Sequence, residues 1–306
     1  MTTRGFYYPS NGLEVSFISD DENPVDAHLL FEVPHEEIES WDLVKKELSA
    51  SECARLADCL RRSIRLKSFY LTTSHLEDPR VVGDALVNAL HLRTLSLERY
   101  YDKNTLPGIA DFVVGEDGNG ILRRLLQNPS CELQELVLSQ MDLNSRHFIA
   151  LADMLTTSRI KKLDASWNVP SVDTIVEFAK RLPRMKCLKS LYLGPFFPEL
   201  VEESCPEYYM PLVHAIQENY SIEYVEVDRN DAPELVNLLE YYTDLNRAGR
   251  RILATTQTVP TGLWPYILAR AGTSKYCRFP HNSVFFFLQN CPDIFSNIIK
   301  SQELEG

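Results

Sequence analysis

The amino-acid sequence predicts a mixed α/β chain in which repeated strand–helix units stack into a curved solenoid. The first observation is an apolar motif, LxxLxL or a close variant, that occurs seven times. The second is its spacing, because successive copies begin 28, 26, 41, 27, 28 and 34 residues apart and four of the six intervals lie between 26 and 28. A regular period of this length indicates a repeat protein. The copies begin at Ile38, Leu66, Leu92, Leu133, Ile160, Leu188 and Ile222.

Each copy opens a unit whose periodicity changes from that of a strand to that of a helix. Apolar and polar residues alternate in the first half, and apolar residues recur at helical spacing in the second. Ser49 with Glu52, and Asp231 with Glu234, have the spacing of a capping box at two predicted helix starts. The clearest helical stripe consists of Cys53, Leu56, Cys59 and Leu60.

Stacking is required because one such unit cannot bury its apolar side alone. Each leucine-class side chain that stacking buries contributes about 1.5 to 3 kcal/mol. Helices are wider than strands, so we expect a curved parallel sheet on the concave side and helices on the convex side. Residues 1–37 are expected to form an N-terminal β cap, residues 38–250 a solenoid of about seven repeats, and residues 251–306 a C-terminal helical cap.

This pattern resembles the leucine-rich-repeat family, and within it the ribonuclease-inhibitor-like class, over residues 38–250. The family places another apolar residue five positions after the last leucine of the motif, and Leu48, Leu76 and Leu143 match it. The resemblance implies a loop asparagine whose amide satisfies backbone groups of the turn, with counterparts at Asn168 and Asn230.

The sequence also departs from that family, which predicts an irregular arc. The asparagine position is occupied elsewhere by Lys46, Ser74, Tyr100, Met141 and Phe196. Residues 245–250 (LNRAGR) are similar to tails of leucine-rich-repeat proteins of single-celled eukaryotes. Members of the family bind very different partners, so the resemblance implies a fold and no particular partner.

Two long intervals between copies predict insertions at residues 100–120 and 194–211. Both lie between a strand and its helix, so both are expected at the same edge of the sheet. Their aromatic residues either form two walls beside the concave surface or pack back onto their own repeats. These aromatic residues are Tyr100, Tyr101, Phe196, Phe197, Tyr208 and Tyr209.

The positions marked x in the motif predict a binding surface, because alternate side chains of a strand face opposite sides of the sheet. Large aromatic residues and arginine dominate binding energy at interfaces. Trp167, Tyr192 and Tyr224 are therefore the favoured patch, against the alternative of an ordinary solvated face. The predicted partner-binding residues are Tyr70, Arg99, Tyr100, Tyr101, Trp167, Tyr192, Phe196, Phe197 and Tyr224.

Three lysines on this surface allow two interpretations. Lys161, Lys162 and Lys189 either attract an acidic peptide or balance neighbouring carboxylates such as Asp164 and Glu135. The second interpretation is the favoured one.

Charge and cysteine content exclude several functional classes. The net charge of −12 and the pI of about 5.1 argue against nucleic acid as a primary partner. Residues 1–60 carry thirteen acidic and four basic residues, which predicts either a solubilising end or a docking surface for a basic partner. The seven cysteines contain no CxxC pair, and no apolar run is long enough to cross a bilayer. We therefore expect a cytoplasmic protein with reduced thiols and no membrane insertion.

The sequence offers no catalytic, metal or cofactor motif. The glycine-rich segment 115–120 is predicted to be a flexible loop, since it lacks the Lys-Ser/Thr that completes a phosphate-binding loop. Neither HExxH nor GxSxG occurs. The carboxylate pair Glu36–Glu37 is expected on the surface, where nothing separates the two pKa values.

The function expected from these observations is that of an intracellular, monomeric and non-catalytic scaffold or adaptor. It would bind a protein partner through the concave face and the two rim loops. One alternative is a regulator of a small GTPase, because an activator family shares this repeat class and presents an arginine where Arg99 lies. Another is a substrate-recognition subunit of a ubiquitin ligase, although the N-terminal residues show strand alternation and no helical stripe. A nuclease inhibitor of this fold would be richer in cysteine.

Overall fold

The protein is described by a computed structural model. It describes residues 13–18, 35–44, 47–73, 75–99, 109–115, 118–168, 170–194, 206–227, 232–251, 263–273, 278 and 280–290.

The described residues contain strands, helices and two short 3₁₀ turns, His35–Glu37 and Leu182–Arg184. The strands are β1 (Leu13–Ile18), β2 (Ile38–Val44), β3 (Glu47–Leu48), β4 (Ser68–Thr72), β5 (His75–Leu76), β6 (Thr94–Glu98), β7 (Glu135–Val137), β8 (Lys162–Asp164), β9 (Ser190–Tyr192) and β10 (Tyr224–Glu226). The helices are α1 (Ala50–Arg62), α2 (Pro79–Val87), α3 (Ile109–Val113), α4 (Ile121–Gln127), α5 (Ser145–Leu155), α6 (Val172–Ala179), α7 (Pro206–Glu218), α8 (Pro233–Ala248), α9 (Trp264–Ala271) and α10 (Pro280–Asn290).

Eight strands form one parallel sheet whose spatial order follows the chain. The order is β1-β2-β4-β6-β7-β8-β9-β10, and each repeated motif supplies one strand from β2 onward. The expected mixed α/β class with a parallel sheet is confirmed. A second, two-stranded parallel sheet pairs β3 with β5 through Leu48 and Leu76, the apolar residues that follow the motif.

The strands align so that the central apolar residue of each motif meets its counterpart. This row is buried from Trp41 to Leu191, and Val225 at its end is half-buried. Because the register repeats without a slip between β2 and β10, every motif contributes its apolar residues to one continuous core. The row consists of Trp41, Phe69, Leu95, Leu136, Leu163, Leu191 and Val225.

The helices also pack in chain order. α1 contacts α2, α2 contacts α4, and α5 to α8 contact one another in succession. Helix α1 turns its predicted stripe inward, and Cys53, Leu56, Cys59 and Leu60 are all buried. Phe148 of α5 and Phe178 of α6 meet edge to face, with ring centroids 6.0 Å apart.

Within the described residues, one face of the large sheet is buried from β2 to β9, whereas the other face is half-buried or exposed except at Ser96 of β6, which is 3 % exposed. Along β4 the burial alternates, with Phe69 and Leu71 buried and the residues between them half-buried. The same alternation recurs in β7, β8 and β9, and the outward positions of β10 are exposed. Parallel sheets are usually covered on both faces. The uncovered face of this parallel sheet therefore takes no part in packing the core.

The helix starts agree in part with the capping signals. Ser49 and Glu52 form the expected capping box at α1. The box predicted from Asp231 is wrong, because α8 begins at Pro233 with Ala232 as its N-cap. Proline at the first position of a helix loses no hydrogen bond, and it fixes where the helix begins.

The two ends of the sheet carry different elements. β1 pairs in parallel with β2 and extends the sheet by one strand. At the other end α9 and α10 pack on α8 around a separate apolar cluster. The cluster consists of Leu245, Ala248, Trp264, Ile267, Ala271 and Phe287.

The first long interval contains a helix and a tight turn in its described part. Helix α3 lies within residues 100–120, and the glycine-rich segment joins it to α4. Gly115 and Gly118 have φ of +72° and +66°, which disfavours other residues. A Cβ on Gly120 would lie 2.3 Å from the carbonyl oxygen of Val113, so only glycine fits there.

The second long interval is shorter than the sequence predicts. Helix α7 begins at Pro206, so the last six residues of the segment 194–211 are helical. Tyr209 is only 2 % exposed and belongs to the core. For this tyrosine the packed alternative is the one observed, because helical periodicity turns it toward the sheet. The backbone of residues 195–205 lies outside the described part of the chain.

Candidate protein-binding face

The C-terminal half of the large sheet presents its uncovered side as two rows of polar and aromatic side chains. Strand register sets one row as Glu135, Lys162, Ser190 and Tyr224, and the other as Val137, Asp164, Tyr192 and Glu226. We call these eight residues the open face. Consecutive members of a row lie on neighbouring strands about 4.8 Å apart.

The centre of the open face is a pair of tyrosines in ring contact. The ring centroids of Tyr192 and Tyr224 are 5.2 Å apart, with planes inclined by 45°. Tyr224 is 40 % exposed, and its hydroxyl donates a hydrogen bond of 2.8 Å to Glu226. The Nζ atom of Lys162 lies 5.2 Å from the centroid of the Tyr192 ring, a cation–π arrangement. The register brings these four residues together although up to 64 positions separate them in the sequence.

The lysines of these strands are largely balanced within the protein. Lys189 forms an ion pair of 2.5 Å with Glu223, and Lys162 lies 4.0 Å from Glu135. Lys161 donates to the side-chain oxygen of Gln134 at 2.8 Å. The geometry thus favours charge balance over an acidic-peptide site.

Trp167 lies half-buried in the turn that follows β8, three residues beyond Asp164. Its φ of +57° is left-handed, and Gln140, at the equivalent position of the preceding turn, has a φ of +58°. Such a conformation costs a bulky residue about 1 to 2 kcal/mol, so the surrounding turn must impose it. The backbone N–H of Gln140 donates to the carbonyl of Ser166, which joins the two turns.

The buried side-chain amide of Asn168 holds these two turns together. Its oxygen accepts from the backbone N–H of Met141 at 3.1 Å and of Leu143 at 2.9 Å. Its nitrogen donates to the carbonyls of Leu138, Ala165 and Ser166 at 2.8 to 3.1 Å. One side chain therefore satisfies five backbone groups on two consecutive units, the role that the family resemblance implies. Asn230 lies outside the described residues.

Arg99 follows β6 and is engaged inside the protein. Its guanidinium forms an ion pair with Asp142, a residue of the next turn, and its side chain is 21 % exposed. An arginine that reaches into a partner's active site would have to break this ion pair. The position of Arg99 therefore does not favour the GTPase alternative.

The remaining predicted residues are separate from the tyrosine pair or outside the described chain. Tyr70 lies on β4 in the same register row as Tyr192, four strands away and thus about 19 Å from it. The four rim aromatics Tyr100, Tyr101, Phe196 and Phe197 lie outside the described residues.

A buried polar network at the C-terminal end was missed by the sequence analysis. The amide of Asn246 donates to the carbonyls of Asn219 and Ile222 at 2.8 and 2.7 Å. The guanidinium of Arg250 donates to the Asn246 side chain and to the carbonyls of Ile216 and Asn219 at 2.9 to 3.1 Å. These two polar residues are members of the LNRAGR segment, whose resemblance was the one available signal.

The same arginine lies between two aromatic rings. The guanidinium carbon of Arg250 is 4.8 Å from the ring centroid of Tyr220 and 5.2 Å from that of Tyr242. Burial lowers the pKa of Arg250, while the neighbouring tyrosines act in the opposite direction. Carbonyl oxygens and ring faces thus take the place of a carboxylate partner.

The described buried cysteines and potential metal ligands lack the features of a reactive site. Burial raises the pKa of the thiols of Cys53 and Cys131, and that of Cys59 to about 12, which disfavours the nucleophilic thiolate. No cluster of three metal-ligating side chains occurs within the described part of the chain. No helix built from those residues has the length and apolar character needed to span a membrane.

The chain matches no protein-family profile and no curated protein. Among solved structures it is similar to leiomodin-1 actin-binding site 2, with 18 % identity over 43 % of this chain and 77 % of that one, at a TM-score of 0.35. It is also similar to the tropomodulin C-terminal domain of Caenorhabditis elegans, with 11 % identity over 66 % of this chain and 98 % of that one, at a TM-score of 0.39. With TM-scores this low, neither likeness bears on what this chain binds.

Proposed function

We propose that the chain is a leucine-rich-repeat solenoid of the ribonuclease-inhibitor-like class that serves as a non-catalytic scaffold for protein binding. Residues 1–37 and 251–306 would cap a solenoid formed by residues 38–250. The proposal is supported by consecutive parallel strands, by helices packed in the same order, and by the amide of Asn168. A cytoplasmic, monomeric protein with reduced thiols is part of the same proposal.

The open face is the proposed binding surface. The observation that carries this proposal is the Tyr192–Tyr224 ring pair, with Tyr224 exposed and Tyr192 half-buried, on a sheet face that no described element covers. Tyrosine is favoured at interfaces because it combines a stiff apolar ring with one hydrogen-bonding group. Trp167 is proposed to border this surface, and Tyr70 to extend it along the row. Arg99 and the four rim aromatics are proposed as contacts along one edge.

Affinity capture from a native extract would test this proposal. We expect Tyr192→Ala/Tyr224→Ala to lose proteins that the unchanged chain retains, because truncation of central interface tyrosines commonly costs about 2 kcal/mol or more, which is about thirtyfold in affinity. Tyr266→Ala is the matched control, since Tyr266 is 72 % exposed on α9 and lies outside the large sheet. Retention of the same proteins by the double variant and the unchanged chain would contradict the proposed binding surface.

A further inference from the structure

We infer that the Tyr192–Tyr224 pair and its flanking carboxylates bind an arginine side chain of the partner, an inference that rests on the proposed function. Tyr192 lies between Asp164 and Glu226 in one register row, with one carboxylate on each neighbouring strand. Tyr224 adds a second ring in contact with the first. Aromatic faces bordered by carboxylates are a chemistry that recognises cations.

The two carboxylates keep their negative charge available. Asp164 accepts hydrogen bonds from the backbone N–H and the hydroxyl of Ser166 at 3.0 and 2.5 Å, and Glu226 accepts from the Tyr224 hydroxyl. These donors are neutral and orient the carboxylates without cancelling their charge. No lysine or arginine of the described residues lies within ion-pair distance of Asp164 or Glu226.

Positive and negative side chains of β8 to β10 lie toward opposite ends of these strands. Lys161 and Lys189 lie at the strand starts, where Lys189 is already paired with Glu223. Asp164 and Glu226 lie at the strand ends, beside the tyrosines. A basic group of a partner would thus be attracted to the end of the face where the aromatic rings lie, and an acidic group would be repelled from it.

Lys162 is a cation of the protein itself that contacts the open face. Its ammonium lies at cation–π distance from the Tyr192 ring while the far carboxylate, Glu226, remains without a basic neighbour among the described residues. A lysine from within the protein therefore uses one side of the site. The Tyr224 ring, which is 40 % exposed, and Glu226 lie on the other side of the Tyr192 ring.

Arginine fits this arrangement better than lysine. A guanidinium is planar, so it stacks on a tyrosine ring and at the same time donates in a fork to a carboxylate. An ammonium is a strongly hydrated point charge that makes one of these contacts well. Arginine in an extended, accessible segment of the partner is thus the group that the site selects.

Fluorescence anisotropy with a labelled peptide of alternating arginine and glycine would test the inference. The same peptide with lysine or with glutamate in place of arginine provides the comparison. We expect the arginine peptide to bind the unchanged chain more tightly than the lysine peptide, and the glutamate peptide not to bind. Tyr192→Ala/Tyr224→Ala and Glu226→Gln should each weaken arginine-peptide binding by about tenfold.

Two matched controls separate this site from general attraction to an acidic protein. Glu36→Gln/Glu37→Gln removes two exposed carboxylates elsewhere, and Tyr266→Ala removes an exposed tyrosine elsewhere. Both should change the affinity less than about twofold. Thermal unfolding of each variant verifies that the fold is retained.

A lysine pair provides the sharper test. Lys162→Met removes the cation that shares the Tyr192 ring and should tighten arginine-peptide binding by about threefold. Lys161→Met removes the same charge from the adjacent position, where the lysine contacts Gln134, and should leave the affinity nearly unchanged. Equal effects of the two variants would overturn the inference, because long-range charge would then explain both.

The inference is also overturned if the glutamate and arginine peptides bind alike, if lysine binds as well as arginine, or if the open-face variants weaken binding no more than the controls. If Tyr192→Ala/Tyr224→Ala loses captured proteins but the arginine peptide does not bind the unchanged chain, this inference is wrong and the proposed function stands. Capture that is insensitive to the open face would remove the proposed function, whatever the peptide does.

Discussion

Replacing Asn168 by alanine is expected to lower the free energy of unfolding by about 3 to 5 kcal/mol. The substitution leaves two backbone N–H groups and three carbonyls of consecutive turns without their buried partner. Each unsatisfied buried group costs about 1 to 3 kcal/mol, reduced where water enters or where a carbonyl retains another donor. Denaturant unfolding monitored by circular dichroism would measure the change.

Asn88→Ala is the matched control for this prediction. The amide of Asn88 is at the surface and donates to one carbonyl, that of Asp84. Its loss should change the free energy of unfolding by less than about 0.5 kcal/mol. Equal stabilities of Asn168→Ala and Asn88→Ala would refute the role of the Asn168 amide in joining the two turns.

Replacing Arg250 by alanine is expected to cost about 3 kcal/mol and to act mainly on the C-terminal end. The substitution removes the hydrogen bonds that the guanidinium donates to the Asn246 side-chain oxygen and to the carbonyls of Ile216 and Asn219. It also leaves space between two tyrosine rings. Units of a repeat structure contact only their neighbours, so the loss should spread weakly toward the N-terminus. Hydrogen exchange resolved by peptide should show faster exchange in α7 and α8 than in α1.

Arg61→Ala serves as the comparison for Arg250→Ala. Arg61 is exposed and pairs with Asp58 one helical turn away, a type of ion pair that contributes about 0.5 kcal/mol or less. Uniformly faster exchange along the whole chain of Arg250→Ala would contradict the local role, and so would stability equal to that of Arg61→Ala.

The parallel sheet was predictable because its signal is repeated. Any single apolar triplet such as Leu133, Leu136 and Leu138 is compatible with a strand or a helix. Seven copies at a nearly constant spacing require one shared structure, and burial of the central residue in each strand follows from that requirement. The role of the Asn168 amide was predictable for another reason, because the resemblance to the leucine-rich-repeat family implies a loop asparagine that satisfies backbone groups of the turn.

Other features depend on contacts that no local pattern specifies. Arg250 is buried because three acceptors and two rings from α7, α8 and the residues between them converge on it. Tyr209 is buried because α7 starts several residues earlier than its sequence signals indicate. His147 accepts the backbone N–H of Asn144 and contacts Asp111 at 2.8 Å, which ties α3 to α5. Each of these results from tertiary packing that overrides local propensity.

The candidate site was predicted in its composition and not in its geometry. Strand alternation identified Tyr192 and Tyr224 as outward residues, which the structure agrees with. The sequence does not give the register of the strands. That register brings the two rings into contact and places Asp164 and Glu226 on either side of Tyr192. The ion pair of Arg99 with Asp142 was also beyond the sequence, because the partner belongs to the next unit.

Chemical cross-linking across the open side of the sheet tests the central claim most directly, namely that the repeated strands are consecutive neighbours with one face uncovered. Ser68 and Thr94 are register partners on β4 and β6, whereas Ser190 lies four strands from Ser68, about 19 Å away. In Ser68→Cys/Thr94→Cys we predict that a short thiol-bridging reagent joins the two new cysteines, as mapped by peptide mass spectrometry. In Ser68→Cys/Ser190→Cys we predict no such bridge. Failure of the first pair to react, or equal bridging in both, would contradict the stacked-strand account.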